Sequence, residues 1–313
     1  MTAIKTQDLT KYYGKVKALH ELNLEIPKNV VFGFLGPNGA GKSTTIKLLT
    51  AFARPTSGTA FVAGEPVASD NLALRAKIGF IPDVPAFYDW MTGMEFLNFV
   101  GDLHGLTTRE ARHRSEEMLD LAELKQAGNR RIGGYSRGMR QRLGIAQALM
   151  NHPEVIFMDE PTSALDPIGR REVLGLISRL KQDATIFMST HILSDVERVC
   201  DMVGIINKGM LTAVSSVSEL QNKYARSVFE MEFLEDSDGL IEAMSRVDWL
   251  SKPEFVPDHG HPIVRVAAND VGLAKKELPH LIYQSGLTLT RYEMVMPNLE
   301  DIFVNVINGR DAK

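Results

Sequence analysis

Apolar residues along this chain follow two rhythms. Short unbroken runs at Val30–Leu35, Val155–Met158, Thr185–Met188 and Met202–Ile206 have the length and density of strands buried on both faces. Between the later runs, at Arg170–Gln182 and Ile192–Val199, apolar positions recur at helical spacing. Near the amino terminus the pattern alternates as a strand through about Lys17, and Leu19, Leu22, Leu24 and Ile26 lead to the turn Pro27-Lys28-Asn29. Helical spacing returns at Thr45–Thr50, followed by a turn at Arg54–Gly58 and a short strand at Thr59–Gly64. From about Asp89 to Asn151 the chain reads as three helices: one with Met94, Phe96, Leu97 and Val100 on a single side, a second at Arg109–Ala122, and a third at Arg137–Asn151. Buried strands alternating with helices predict an α/β fold built on a mainly parallel sheet covered on both faces.

After about Leu220 the character changes. Strand Ser227–Phe233, helix Gly239–Arg246, strands Glu254–Val256 and Ile263–Ala267, helix Val271–Ser285, strand Thr288–Val295 and a final helix Leu299–Asn308 follow in turn. The order approximates a split β-α-β-β-α-β unit of ferredoxin-like type. It predicts a small α+β accessory domain over residues 218–313, joined to a first domain over residues 1–217 by a short linker near Leu211–Tyr224.

Composition changes this picture little. A chain of 313 residues is long for one core, so two domains are natural. The whole chain has a net charge of −4; residues 221–313 hold 15 acidic and 10 basic side chains, so this end carries the net negative charge, and no basic excess points to nucleic acid. The single cysteine, Cys200, excludes an internal disulfide and a cysteine metal cluster and fits a reducing cytoplasm. No apolar run approaches the roughly 18–20 residues that span a bilayer, and the first residues lack the apolar core of a secretory signal. A role at a membrane therefore calls for another polypeptide to cross it.

One loop carries chemistry. Gly36-Pro37-Asn38-Gly39-Ala40-Gly41-Lys42-Ser43-Thr44 lies between the strand Val30–Leu35 and the helix that follows, which is the context the GxxxxGK[ST] pattern requires. Its glycines let backbone N–H groups converge on one anion, and the helix N-terminus adds partial positive charge. Lys42 is placed to reach the β- and γ-phosphates, and the Ser43 hydroxyl to bind Mg²⁺. The chain is expected to bind a nucleoside triphosphate. Val155–Met158 ends in Asp159-Glu160; beside the loop, Asp159 would hold Mg²⁺ directly or through water, while Glu160 would orient and deprotonate an attacking water.

With Tyr135-Ser136-Arg137-Gly138-Met139-Arg140-Gln141-Arg142 added, residues 2–215 resemble the nucleotide-binding subunits of ABC transporters. The resemblance implies a P-loop ATPase of ABC type that uses ATP and Mg²⁺, with an antiparallel β subdomain and a helical subdomain at about residues 84–153. Tyr135–Met139 occupies the place of the Leu-Ser-Gly-Gly-Gln signature, where Ser136 and the Gly138 amide at a helix start face a γ-phosphate held by the opposite subunit. Ser163-Ala164-Leu165-Asp166 looks like the loop through which two such subunits sense each other. His191, after Ser189-Thr190, resembles the switch histidine, and Tyr13 the aromatic residue that stacks on adenine, with Tyr12 as its competitor.

Two positions depart from the family. Ile78-Gly79-Phe80-Ile81-Pro82-Asp83 is similar to the loop where the family has a glutamine that contacts Mg²⁺ and couples to the membrane subunit, with Asp83 replacing that amide, and Arg137 and Met139 alter the signature. The segment Met296–Val304 is similar to the closing Leu-Glu-Asp-Val-Phe type sequence of type-2 ABC exporters, which move drugs, antibiotics, lipids or sodium through separate membrane subunits. The resemblance implies a peripheral protein on the inner face of the cell membrane, partnered by transmembrane subunits and by a second copy of itself or a paralogous ATPase. An importer ATPase with a regulatory C-terminal domain is the alternative, and a soluble ATPase acting on ribosomes or DNA a more distant one. Asn207-Lys208-Gly209-Met210 lacks the aspartate of a guanine reader, which argues against GTP.

Overall fold

Alternating and unbroken apolar runs separate into two kinds of sheet in a computed structural model that describes residues 2–224, 228–256, 263–295 and 303. The chain divides into two compact units, residues 1–217 and 218–313.

The first unit opens with an antiparallel hairpin, β1 (Thr2–Tyr13) and β2 (Val16–Pro27). Then come β3 (Val31–Leu35), α1 (Lys42–Leu49), β4 (Ser57–Val62), β5 (Glu65–Pro66), α2 (Leu72–Lys77) and β6 (Ile78–Ile81). Three helices follow, α3 (Gly93–Leu103), α4 (Thr108–Leu121) and α5 (Arg137–Ala148). The unit closes with β7 (Val155–Asp159), α6 (Pro167–Leu180), β8 (Thr185–Thr190), α7 (Leu193–Val199), β9 (Met202–Asn207) and β10 (Met210–Ser216), and α8 (Val217–Tyr224) begins at its edge. An antiparallel sheet runs β2-β1-β4-β5, and a six-stranded sheet runs β10-β9-β3-β8-β7-β6, parallel except for its β9–β10 edge.

The six-stranded sheet has a core on each face, and strand alternation divides the residues between them. Ile156, Met158, Ile186 and Met188 join Leu97, Leu143 and Leu176 from the helices. Val155, Phe157, Phe187, Phe32 and Phe34 point the other way, toward α1 and the antiparallel sheet. There the rings of Phe32, Phe34 and Phe157 each lie within 5.7 Å of the Phe187 ring, in the offset range that favours aromatic pairs. Helices α3 and α4 each start with a capping box, Thr92 with Glu95 and Thr107 with Glu110. The Thr92 amide in one case and the Thr107 hydroxyl in the other hold these carboxyls below the usual carboxylate range.

Three expectations change. Ile78–Ile81 forms the edge strand β6 rather than a loop, and α5 stops at Ala148 rather than continuing to Asn151. The stretch Leu211–Tyr224, read as a linker, is nearly all of β10 followed by α8, and the division between the two units falls within it. A tight turn at Lys208-Gly209, both at positive φ, returns the chain to pair with β9. Cys200, just past α7, has its Sγ 2.9 Å from where a Cβ on Gly33 would stand. Burial, reinforced by the Asp201 and Asp195 carboxylates, pushes this thiol's pKa far up.

In the second unit, β11 (Val228–Phe233), α9 (Asp238–Ser245), β12 (Glu254–Val256), β13 (Ile263–Ala267), α10 (Val271–Ser285) and β14 (Leu289–Val295) form one antiparallel sheet, β12-β13-β11-β14. Phe229, Met231, Phe233, Val264 and Val266 pack under Leu240, Met244, Leu278 and Ile282 of the helices. The closing sequence similarity and the last helix lie outside the described residues, apart from Phe303.

Two glycines give opposite expectations. A Cβ on Gly79 of β6 would stand 2.3 Å from the Ala148 carbonyl oxygen, so Gly79→Ala should cost about 1–3 kcal/mol or more through overpacking against backbone. Gly175, exposed in α6, has open space around it, so Gly175→Ala should stabilise by about 0.5–1 kcal/mol. Thermal denaturation of the two variants checks both signs.

Candidate functional site

The phosphate loop turns between β3 and α1, and its glycines answer to named constraints. Gly41 has φ 113 and Gly39 φ 78, both in the region that disfavours side chains. Gly36 runs so close to β9 that a Cβ would stand 2.4 Å from the Ile206 carbonyl oxygen. The β9–β10 turn braces the loop: the Gly209 amide donates to the Ala40 carbonyl at 2.8 Å, and the His20 amide donates to the Gly209 carbonyl at 2.8 Å.

Lys42 opens α1 and is only 6% exposed. Its ammonium donates to the Gly36 and Pro37 carbonyls at 2.7 and 3.3 Å and lies 3.2 Å from Glu160 Oε1. The other Glu160 oxygen is 2.8 Å from His191 Nδ1. A lysine, a carboxylate and a histidine thus form one line, with Glu160 14% exposed and His191 47% exposed. Glu160 holds a left-handed backbone, φ 48, and its amide donates to the Ser189 carbonyl and hydroxyl, each at 3.1 Å.

On the next residue back, Asp159 Oδ1 accepts from Ser43 Oγ at 3.1 Å and also from the Ser189 hydroxyl. A hydroxyl on a carboxylate at the carboxyl end of a parallel strand suits Mg²⁺, which takes one or two protein oxygens and keeps waters and phosphate as its other ligands. Among the described residues no cluster of three histidine, cysteine, aspartate or glutamate side chains competes for a metal. Asp83 accepts instead from Ser163 Oγ at 2.8 Å.

Asn38, Gly39, Gly41, Lys42, Ser43 and Thr44 line a cleft of about 580 Å³, which Asp83 and Glu160 also border. Neither Ser136 nor Gly138 lines it. Ser136 caps α5, its hydroxyl accepting from the Met139 amide at 3.2 Å. A Cβ on Gly138 would stand 3.6 Å from the Gly169 Cα in α6. Asp166 caps that helix, accepting from the Gly169 amide at 2.8 Å. The starts of α5 and α6 are therefore neighbours, apart from the phosphate cleft. A second cleft of about 350 Å³, with Tyr135, Arg137, Arg140 and Ser163 in its wall, shares Asp83 and Glu160 with the first.

Tyr13 and Tyr12 stand 48% and 41% exposed with lysine ammonium groups, Lys11 and Lys17, 5.0 and 5.5 Å from the ring centroids. Neither tyrosine lines the phosphate cleft; Val16, Lys17 and Lys208 do. In the sequence, Lys208-Gly209 stands out only as an incomplete guanine reader. A lysine-glycine turn after an apolar strand was the available signal.

A family model described as ABC transporter matches residues 19–163. The chain is 38% identical over 309 residues to the uncharacterized ABC transporter ATP-binding protein YxlF of Bacillus subtilis, spanning 98% of this chain and 100% of that protein. To the bacitracin transport ATP-binding protein BcrA of Bacillus licheniformis it is 37% identical, over 98% of each chain. To the daunorubicin resistance ATP-binding protein DrrA3 of Streptomyces coeruleorubidus it is also 37% identical, over 100% and 98%. Among solved structures, cbiO1 from Clostridium perfringens, part of the transporter complex cbiONQ, aligns with TM-score 0.66 and 26% identity over 71% of this chain and 91% of its own. The dimeric post-hydrolysis state of the cassette MJ0796 with ADP and Pi aligns with TM-score 0.59 and 26% identity over 68% and 98%.

Proposed function

The chain belongs to the ABC transporter ATP-binding family, and from that premise we propose that it powers export through separate membrane subunits by closing and opening a two-chain ATP sandwich. Its ATPase activity is that of the family; the assignment of each residue is our reading. The observation that carries it is the separation of two sets of residues, Lys42 and Glu160 on one cleft, with His191 bonded to Glu160, and Ser136 with Gly138 outside that cleft. One chain then supplies half of each site, and two-fold symmetry completes both.

In a closed pair, the loop amides and Lys42 hold the β- and γ-phosphates. Ser136 and Gly138 of the second chain meet the same γ-phosphate from the start of α5. Ser43 and Asp159 would hold Mg²⁺, which supplies charge neutralisation on the phosphate oxygens. Glu160 accepts a proton from the attacking water as its oxygen bonds to the γ-phosphorus and the bond to the β-phosphate oxygen breaks. His191 keeps Glu160 aimed and offers a contact to the γ-phosphate. ADP and phosphate no longer tie the two chains together, and the sandwich opens. Because every chain carries Glu160, both sites of a homodimer hydrolyse.

Relatives named for bacitracin transport and daunorubicin resistance align along nearly the full length, C-terminal region included. They support export over the importer with a regulatory domain. No helix among the described residues is long and apolar enough to cross a membrane, which fits a peripheral subunit docked on transmembrane partners. We take residues 218–313 as an accessory domain that helps the ATPase pair associate.

The test separates the two sets. In a Glu160→Gln background, Gly138→Asp should leave ATP binding to the monomer within about twofold, since α5 does not line the cleft, yet abolish the ATP-dependent dimer by placing a carboxylate against a phosphate. Fluorescent-nucleotide titration and size-exclusion chromatography read the two effects. Loss of monomer binding would place the signature in its own chain's site and end the sandwich reading.

A further inference from the structure

We propose that Asp195 is a positioning residue that sets the Glu160–His191 pair. It lies in the first turn of α7 and is completely buried, at 0% exposure. Its two oxygens are divided between segments. One accepts from the Thr162 hydroxyl and the other from Arg170 Nε, at 2.6 Å for the arginine. Arg170, on α6, also donates to Ser194 Oγ at 2.7 Å. Thr162 is itself 2% exposed, two residues beyond Glu160. Asp195 is four residues beyond His191.

A buried carboxylate is costly unless paired and hydrogen-bonded. An apolar side chain could fill the same space without that cost, so the charge contributes direction rather than packing alone. Three segments converge on it: the turn after β7 that begins with Glu160, the start of α6, and the start of α7 that follows His191. Glu160 keeps its left-handed backbone, φ 48, and such a conformation persists where its surroundings over-determine it. Ser189 holds the amide of Glu160 from one side. The Thr162–Asp195 bond holds the turn from the other and ties it to the element that carries His191. The 2.8 Å contact between Glu160 and His191 is thereby fixed by a second, buried link that touches neither nucleotide nor water. The inference rests on the reading of Glu160 as base and His191 as its partner.

Thr162→Val removes the hydroxyl at nearly constant volume, and Asp195→Asn removes one acceptor. Each should lower kcat for ATP about tenfold, since small misplacements of a reacting group are felt steeply, while KM and nucleotide affinity stay within about twofold. Thr162→Ser should restore the rate. In a His191→Ala chain, Thr162→Val should add much less than its full loss, because the tie between the Glu160 turn and the element that carries His191 then has no histidine to hold against Glu160. A Thr162→Val chain with unchanged kcat, or a loss that is fully additive with His191→Ala, would overturn the proposal while leaving the base assignment intact. Equal loss of affinity without rescue by serine would reduce the link to structural support. A Glu160→Gln chain that still turned over ATP would instead remove the base assignment and this inference together.

Discussion

Glu160→Gln should lower ATP turnover by about 10²–10⁴-fold, the range for loss of a general base, and leave a chain that accumulates as an ATP-bound dimer. The substitution keeps the size and one carbonyl oxygen, so contact with Lys42 or with His191 survives in part. What disappears is the capacity to take a proton from water. The geometry makes this a clean experiment, because Glu160 is 14% exposed and held by two partners at 3.2 and 2.8 Å, and glutamine can satisfy a donor on one side without leaving the site. Binding should persist, as the loop amides and Lys42 are untouched. Single-turnover measurement with radiolabelled ATP reads the rate, and light scattering after gel filtration reads the dimer. Undiminished turnover would contradict the base.

Lys42→Ala should act one step earlier and weaken ATP binding by about 10²–10⁴-fold. Each charged hydrogen bond to a phosphate is worth about 1.5–3 kcal/mol, and two are at stake, which converts at about 1.4 kcal/mol per tenfold. The ammonium is 6% exposed and caged by the Gly36 and Pro37 carbonyls beside Glu160. Truncation therefore also leaves the Glu160 carboxylate with a single partner. Lys42→Arg should rescue poorly, because a planar fork does not fit a cage built for a compact point charge. Calorimetric titration with ATP and Mg²⁺ distinguishes this from Glu160→Gln, which should bind and not turn over. Binding within tenfold of the parent would remove Lys42 from the phosphate site.

Legibility in the sequence followed the range of the interactions. The phosphate loop is contiguous, and its chemistry depends on residue types at fixed spacing, so it could be read directly. The parallel strands announced themselves by unbroken apolar runs such as Val155–Met158. Ile78–Ile81 was harder: Gly79 and Pro82 look like loop residues, whereas Gly79 is small because the Ala148 carbonyl occupies the place of its Cβ. β10 was hidden for a related reason, since its exposed and half-buried positions never accumulate an apolar run. Least legible were pairings across the chain. Thr162, Arg170 and Asp195 meet through bonds spanning 25 and 33 residues, and Asp83 reaches Ser163 across 80. A single sequence shows each as an ordinary polar residue, because only the packing of strands and helices makes them neighbours.

Cys200 has a use that its chemistry alone does not suggest. Its thiol pKa is pushed up and its Sγ packs beside Gly33 of β3, so it should react slowly with maleimides and iodoacetamides in the folded protein. The unaltered chain should then give a low background with thiol-directed probes. A cysteine placed at the start of α5 would carry a fluorophore or spin label as the sole responsive site, and distances between two such labels would report the closing of a pair of chains in real time.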